Sequence, residues 1–186
     1  MRASWPCAFA SRAHAGALCS IALAAALLGE TVEAGEPQWT IEGYVVHVGD
    51  GETVMILDKH RLEHRVRIDG IDAPEKEQPF GAAARRHLYD LTYGLDVVAR
   101  CHKIDQSKYD ICQLWVGKLD VGLAMLRAGL AWYDVRHADE LSAERQASYG
   151  DAHQRAKLAR AGLWSAELTP VPPWEWRGVG GRLPGS

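Results

Sequence analysis

The chain has 186 residues, 47% of them hydrophobic and 24% charged, a balance that suits one globular domain with one core and excludes disordered and collagen-like classes. Its formal net charge is −3, so it lacks the strongly basic footprint of a high-affinity, non-specific nucleic-acid binder. Any contact with a polyanion must be local, transient and helped by a bound cation.

The first 34 residues differ from the rest. Arg2 and Arg12 lie among small residues, an apolar run follows from Ala17 to Leu28, and Val32-Glu33-Ala34 ends on a small side chain. That order is expected of a secretory signal peptide cleaved near Ala34. The run spans about 12 residues against the roughly 20 of a membrane-crossing helix. A retained N-terminal membrane anchor is the alternative, and no stable span is expected after processing. A lipid anchor on Cys19 fits poorly, because that cysteine lies inside the apolar run. Removal of residues 1–34 takes away two basic and two acidic residues, so the net charge stays at −3. The expected organisation is a signal peptide over 1–34, a domain over 35–168 and a Pro/Gly-rich tail over 169–186.

Along the mature chain, Trp39 to Val48 and Thr53 to Leu57 are rich in β-branched and aromatic residues around the turn Gly49-Asp50-Gly51, and read as two strands. Lys59-His60-Arg61 makes a second turn, and Glu63 to Ile68 alternates polar with apolar before Asp69-Gly70, giving a third strand that carries Arg67. Pro79 to Tyr93 reads as an amphipathic helix with proline in its first turn and Gly94 beyond its end. Val97 to Cys101 and Ile111 to Val116 are two more strands, and Gly117-Lys118 is the turn that follows. Leu119 to Leu130 is a short helix. Ser142 to Ala161 is a third helix, capped by Ser142 and stopped at Gly162. The tail from Thr169 holds four prolines and several glycines and is expected to form no regular element, although Trp174-Glu175-Trp176 could pack on the body. The fold class is α+β: a five-stranded barrel of the oligonucleotide-binding type (OB-fold) with three helices.

Cys101 and Cys112 are the only cysteines of the mature chain and flank the polar stretch His102 to Asp110. If that stretch is a hairpin loop, the two face each other and a disulfide would clip it, as suits an oxidising compartment. Two free buried thiols are the alternative.

The chemistry gathers in two acidic clusters, Asp50-Gly51-Glu52-Thr53 and Asp72-Ala73-Pro74-Glu75, with Arg67 on the strand leading into the second. A single Asp-Gly turn is usually only a solvated turn. Two such clusters beside an arginine offer oxygen ligands for a hard cation, Ca²⁺ or Mg²⁺, and a guanidinium for a phosphodiester. Trp115, Trp132 and Tyr133 read as packing residues before base-stacking ones. The six histidines of the mature chain, His47 and the presequence aside, show no ligand spacing from His60 to His153 and are expected at the surface or satisfied, while Arg155, Lys157 and Arg160 form the wet face of the last helix.

The runs Val48-Gly49-Asp50-Gly51-Glu52-Thr53-Val54, Val66 to Glu75, Lys108-Tyr109 and Leu126-Arg127-Ala128-Gly129-Leu130-Ala131 resemble, in order and spacing, the staphylococcal nuclease (thermonuclease) family over about Trp39 to Trp164. Gly162-Leu163-Trp164 and Pro173-Trp174-Glu175-Trp176 resemble its exported bacterial members. The resemblance implies a Ca²⁺-dependent phosphodiesterase acting on DNA and RNA. It implies that Glu52, Asp72 and the carbonyl of Ala73 bind calcium, that Glu75 orients or deprotonates the attacking water, and that Arg67 holds the scissile phosphate. Lys108 and Tyr109 would contact a terminal phosphate. Two departures stand out: Glu52 replaces the family's aspartate, lengthening the arm to the metal, and Asp110-Ile111 replaces the glycine and arginine after the tyrosine. Lys103, Lys108 and Arg136 are candidates to compensate, although each reads first as a solvated surface charge and lysine lacks the planar fork. The expectation is a nuclease weakened at Ile111, further burdened by the charge of Asp110. The alternative is a non-catalytic barrel that binds nucleic acid, a nucleotide or a protein.

Overall fold

The computed structural model describes residues 37–166, 169–178 and 180; the expected signal peptide and the end of the tail lie outside them. Five strands build the barrel: β1 (Trp39–Val48), β2 (Thr53–Asp58), β3 (Glu63–Ile68), β5 (Asp96–Ile104) and β6 (Asp110–Val116). The long β1 pairs antiparallel with β2 through its second half and with β5 through its first. β2 pairs with β3 and β5 with β6, both antiparallel, and a parallel β3–β6 pairing closes the barrel. Alternate residues point inward, as the pleat requires. Val54, Ile56, Val66, Ile68, Ala99, Cys112 and Leu114 are all buried.

Helix α1 (Gly81–Thr92) starts later than the sequence predicts, because Phe80 takes a left-handed conformation at its N-cap and leaves Pro79 outside. Helix α2 (Val121–Arg127) is shorter than expected for a different reason. Leu119–Asp120 forms a two-residue strand, β7, hairpinned onto β6, and the Asp120 side chain then caps α2 by accepting from the Leu123 N–H. Helix α3 (Ala143–Leu158) is capped by Ser142 as predicted. It is tied to the barrel through Tyr149, whose hydroxyl donates to Asp120 at 2.8 Å, and through Arg145, which grips Asp69 with both Nη atoms.

Two small elements matter for the site. β4 (Ile71–Asp72) pairs with β8 (Trp132–Tyr133), which sets Asp72 opposite Trp132. In the tail, Pro173–Gly178 is a short helix, α4, with Pro173 and Trp176 buried. This corrects the expectation of an irregular tail: proline at the first helical position lacks only an N–H that would be unpaired anyway. Cys101 and Cys112 face each other in register across β5 and β6 and are joined by a disulfide. No helix among the described residues is long and apolar enough to cross a membrane.

Candidate active site

The β1–β2 turn is built by Asp50. Its Oδ1 accepts from the N–H groups of Glu52 and Thr53 and from the Thr53 hydroxyl at 2.8–2.9 Å, a side chain replacing a backbone partner in a tight turn. The Oδ1 atom of Asp50 is therefore committed to the turn. Gly51 lets this turn touch the second acidic cluster. A Cβ there would sit 2.6 Å from that of Ala73 and 2.8 Å from that of Ala84. Gly81 does the same at the other end of that cluster, since a Cβ on it would meet the Glu75 carbonyl oxygen at 2.0 Å.

These approaches bring Glu52, Arg67, Asp72 and Glu75 to one cavity of about 480 Å³. Glu52 accepts the Ala73 N–H at 2.7 Å through Oε2 and lies 3.5 Å from Arg67 Nε through Oε1. Burial first, and then repulsion from Asp72 and Asp50, push its carboxyl well above the usual range, against the pull of the Ala73 N–H and Arg67. Burial likewise raises Asp72, against two arginines. Arg177 from α4 donates to Asp72 at 2.7 and 3.3 Å and to Glu75 at 2.5 Å. Arg136 donates to Asp72 at 2.8 Å and also grips Asp134. Its guanidinium lies 4.4 Å from the ring centre of Trp174.

Arg67 is held by Asp105, 2.6 Å from its Nη1, and stacks 4.7 Å from the Tyr109 ring centre. Its neighbour across the parallel β3–β6 pair is Ile111, buried and lining the cavity. The place beside Arg67 thus offers no donor, as the sequence predicted. The expectation for Asp110 is corrected. It does not line the cavity, since adjacent strand residues face opposite sides; it shares the barrel-side face of Cys112 and Leu114, and burial raises its carboxyl against the pull of His64 and Trp39. The carboxylate that confronts Arg67 is Asp105. Lys108 is exposed in a left-handed turn, and neither it nor Tyr109 lines the cavity. Tyr109 instead supports the guanidinia of Arg65 and Arg67.

Of the other candidates, Lys103 pairs with Glu140 at the rim. Trp132 packs against Trp164, and Tyr133 against Tyr149. His153 departs from the expectation of a satisfied or exposed ring: it is buried, its Nε2 has no partner among the described residues, and burial lowers its pKa to about 4.

Among the described residues no three His, Cys, Asp or Glu side chains form a group ready to hold a metal ion. The donor set nevertheless fits a hard cation. Glu52 and Asp72 are buried oxygen donors that repel each other, and the Arg177 guanidinium bridges Asp72 and Glu75 where positive charge is wanted. A hard cation in such a set would draw its remaining ligands from carbonyl oxygens and water. Acidic residues lining the cavity outnumber lysines and arginines eight to four, so this cleft selects for cations before anions.

Residues 65–166 match the family described as Staphylococcal nuclease homologue. The chain belongs to the staphylococcal nuclease family. Among relatives, an "Uncharacterized endonuclease" of Haemophilus influenzae is 33% identical over 134 residues, which is 72% of this chain and 71% of the relative. Another protein of that name, from Escherichia coli O157:H7, is 33% identical over 74% of this chain and 85% of its own length. A "Micrococcal nuclease" of Shigella flexneri is 31% identical over 76% of this chain and 83% of its own length. The family match begins at Arg65, so the staphylococcal nuclease core as matched includes Arg67, Asp72 and Glu75 but not the Glu52 turn or α4.

Asp105, Asp134, Glu140 and Arg177 line the cavity without having been singled out by sequence reasoning. Asp105 sits inside the polar loop, where its spacing to Arg67 gives no cue. Arg177 lies in a tail whose composition hides it, although Trp174 and Trp176 around it signal a segment that packs.

Proposed function

We propose that this protein is an exported, calcium-dependent nuclease hydrolysing phosphodiesters of DNA and RNA. The observation that carries the reading is the convergence of Glu52, Asp72, Glu75 and Arg67 on one cavity. A bound calcium ion would supply charge to a phosphate oxygen and lower the pKa of nearby water. Glu52, Asp72 and the Ala73 carbonyl are the groups to hold it. Glu75 is the more exposed of the carboxylates, with a side chain 36% accessible against 5% for Asp72, and so can take a proton from water as a general base. Arg67, with its plane backed by Tyr109, presents its fork to the phosphate. The Cys101–Cys112 disulfide supports an oxidising compartment.

Ile111 favours a second reading, a non-catalytic barrel that binds nucleic acid, a nucleotide or a protein without cleaving. Loss of one charged donor to a transition state costs on the order of 10² to 10³ in rate. One experiment decides between them: cleavage of single-stranded DNA and RNA with calcium, with chelator, and by Glu75→Gln. The nuclease reading expects turnover that chelator and Glu75→Gln both abolish; equal turnover in parent and Glu75→Gln sinks it. Ile111→Arg raises the rate, and Asp110→Gly adds little to it, because Asp110 faces away from the cavity. A large gain from a near-zero baseline supports the second reading.

A further inference from the structure

We propose that Arg177 is a phosphate-binding residue of this site, supplying from the C-terminal helix the second guanidinium that Ile111 denies to the β3–β6 wall. The proposal rests on the nuclease reading and concerns how its substrate is held.

Four lysines or arginines line the cavity, and their partners differ. Lys103 is closed against Glu140, and Arg67 is bracketed by Asp105 and Glu52. Arg136 spends Nε and Nη2 on Asp134 and Nη2 again on Asp72; its Nη1 is free among the described residues, but its guanidinium does not reach Glu75. Arg177 uses Nη1 and Nη2 on Asp72 and Glu75, its Nε donates to nothing among the described residues, and its side chain is 46% accessible. A guanidinium carries five N–H donors in a planar fork. Arg177 therefore keeps unspent donors at the mouth of the cavity while it is held in place.

That hold is built into the fold. Pro173 and Trp176 are buried, the Gln78 side-chain amide donates to the Val171 carbonyl at 2.5 Å, and Trp174 lies under Arg136. The segment is thus docked along the cavity rim next to the Glu75 loop. Asp72 Oδ2 receives both Arg136 and Arg177, at 2.8 and 2.7 Å, which leaves it little further capacity. A cation held by Asp72 would compete for that carboxylate, and Arg177, still anchored by its helix and by Glu75, would have an additional N–H edge for a phosphate oxygen.

The competing role is that of a counter-ion which only neutralises the carboxylates. The two separate when calcium does the neutralising. In the full chain carrying Glu75→Gln, which keeps the oligonucleotide uncut, the dissociation constant of a fluorescein-labelled single-stranded DNA is measured by anisotropy in millimolar calcium, with and without Arg177→Gln. A loss of about tenfold is expected. Arg177→Lys, which keeps the charge without the fork, recovers only part of it, and Ile111→Arg added to Arg177→Gln recovers most. In the cleaving parent, Arg177→Gln lowers kcat/KM by about 10² to 10³. Unchanged affinity in calcium, or full recovery by lysine, overturns the assignment. Should Trp174 and Trp176 emission show α4 undocked in the glutamine variant, the lysine variant carries the comparison, with a several-fold loss expected and none overturning it. A parent that cuts nothing defeats the nuclease reading separately, and the affinity ratio still decides the role of Arg177.

Discussion

At the scale of single residues, Glu52 is the side chain most at odds with its surroundings. It is buried beside two other carboxylates and gains only the Ala73 N–H and a long contact to Arg67 in return. A carboxyl whose pKa in the fold exceeds its unfolded value stabilises the protein fully below the unfolded value, and that contribution is lost as pH rises through the folded value. Above the ordinary carboxyl range, burying Glu52 therefore costs stability until a cation arrives. Glu52→Gln raises the melting temperature in chelator at pH 7 by a few degrees, on the order of 1 kcal/mol, and the gap closes as the pH is lowered. Added calcium raises the parent by mass action and leaves the variant nearly unmoved. Calorimetry with and without calcium reads both. A parent already more stable than the variant in chelator would contradict the picture of a strained, cation-seeking carboxylate.

At the scale of elements, the barrel strands were legible because inward and outward residues alternate along them, as Val54 and Ile56 or Val66 and Ile68 do. The acidic clusters and Arg67 were legible as motifs, and Ile111 as the residue where a donor is missing. What stayed hidden depends on distant pairing. The parallel β3–β6 contact and the two-residue strands β4 and β8 have no local period, and Arg177 finds its partners 102 and 105 positions away. His153 on α3 is another such case, since nothing in its neighbourhood of sequence shows that it lies edge-on to Trp164. Its depressed pKa, about 4, arises from burial and then from Lys157. The unfolded chain binds the proton first as pH falls, so this histidine's contribution is present above pH 6.5 and lost on the way to 4. Urea midpoints taken between pH 7 and 4 fall further for the parent than for His153→Phe, by about 2 kcal/mol at the acid end. Parallel curves would show that the ring accepts its proton without penalty, through a partner reached by local opening.

At the scale of the whole molecule, a net charge of −3 and a cavity lined mostly by acids set how any nucleic acid is bound. Non-specific affinity for a single strand scales with the number of phosphates neutralised, each contributing about 0.7 to the slope of log K against log salt. Among the described residues only Arg67, Arg136 and Arg177 present guanidinia to this cavity, and each is already paired with a carboxylate, so about two or three phosphates can be held. For the Glu75→Gln protein in calcium, the slope for a short single-stranded DNA is then about −1.5 to −2, and removing calcium lowers the affinity at every salt concentration instead of steepening the slope. Fluorescence anisotropy across a salt series measures both. A slope near −4 or steeper requires a basic track elsewhere on the surface and refutes a locally held phosphate. A shallow slope, with affinity restored by calcium alone, matches a protein that repels nucleic acid overall and admits one phosphodiester where the cation and the guanidinia meet.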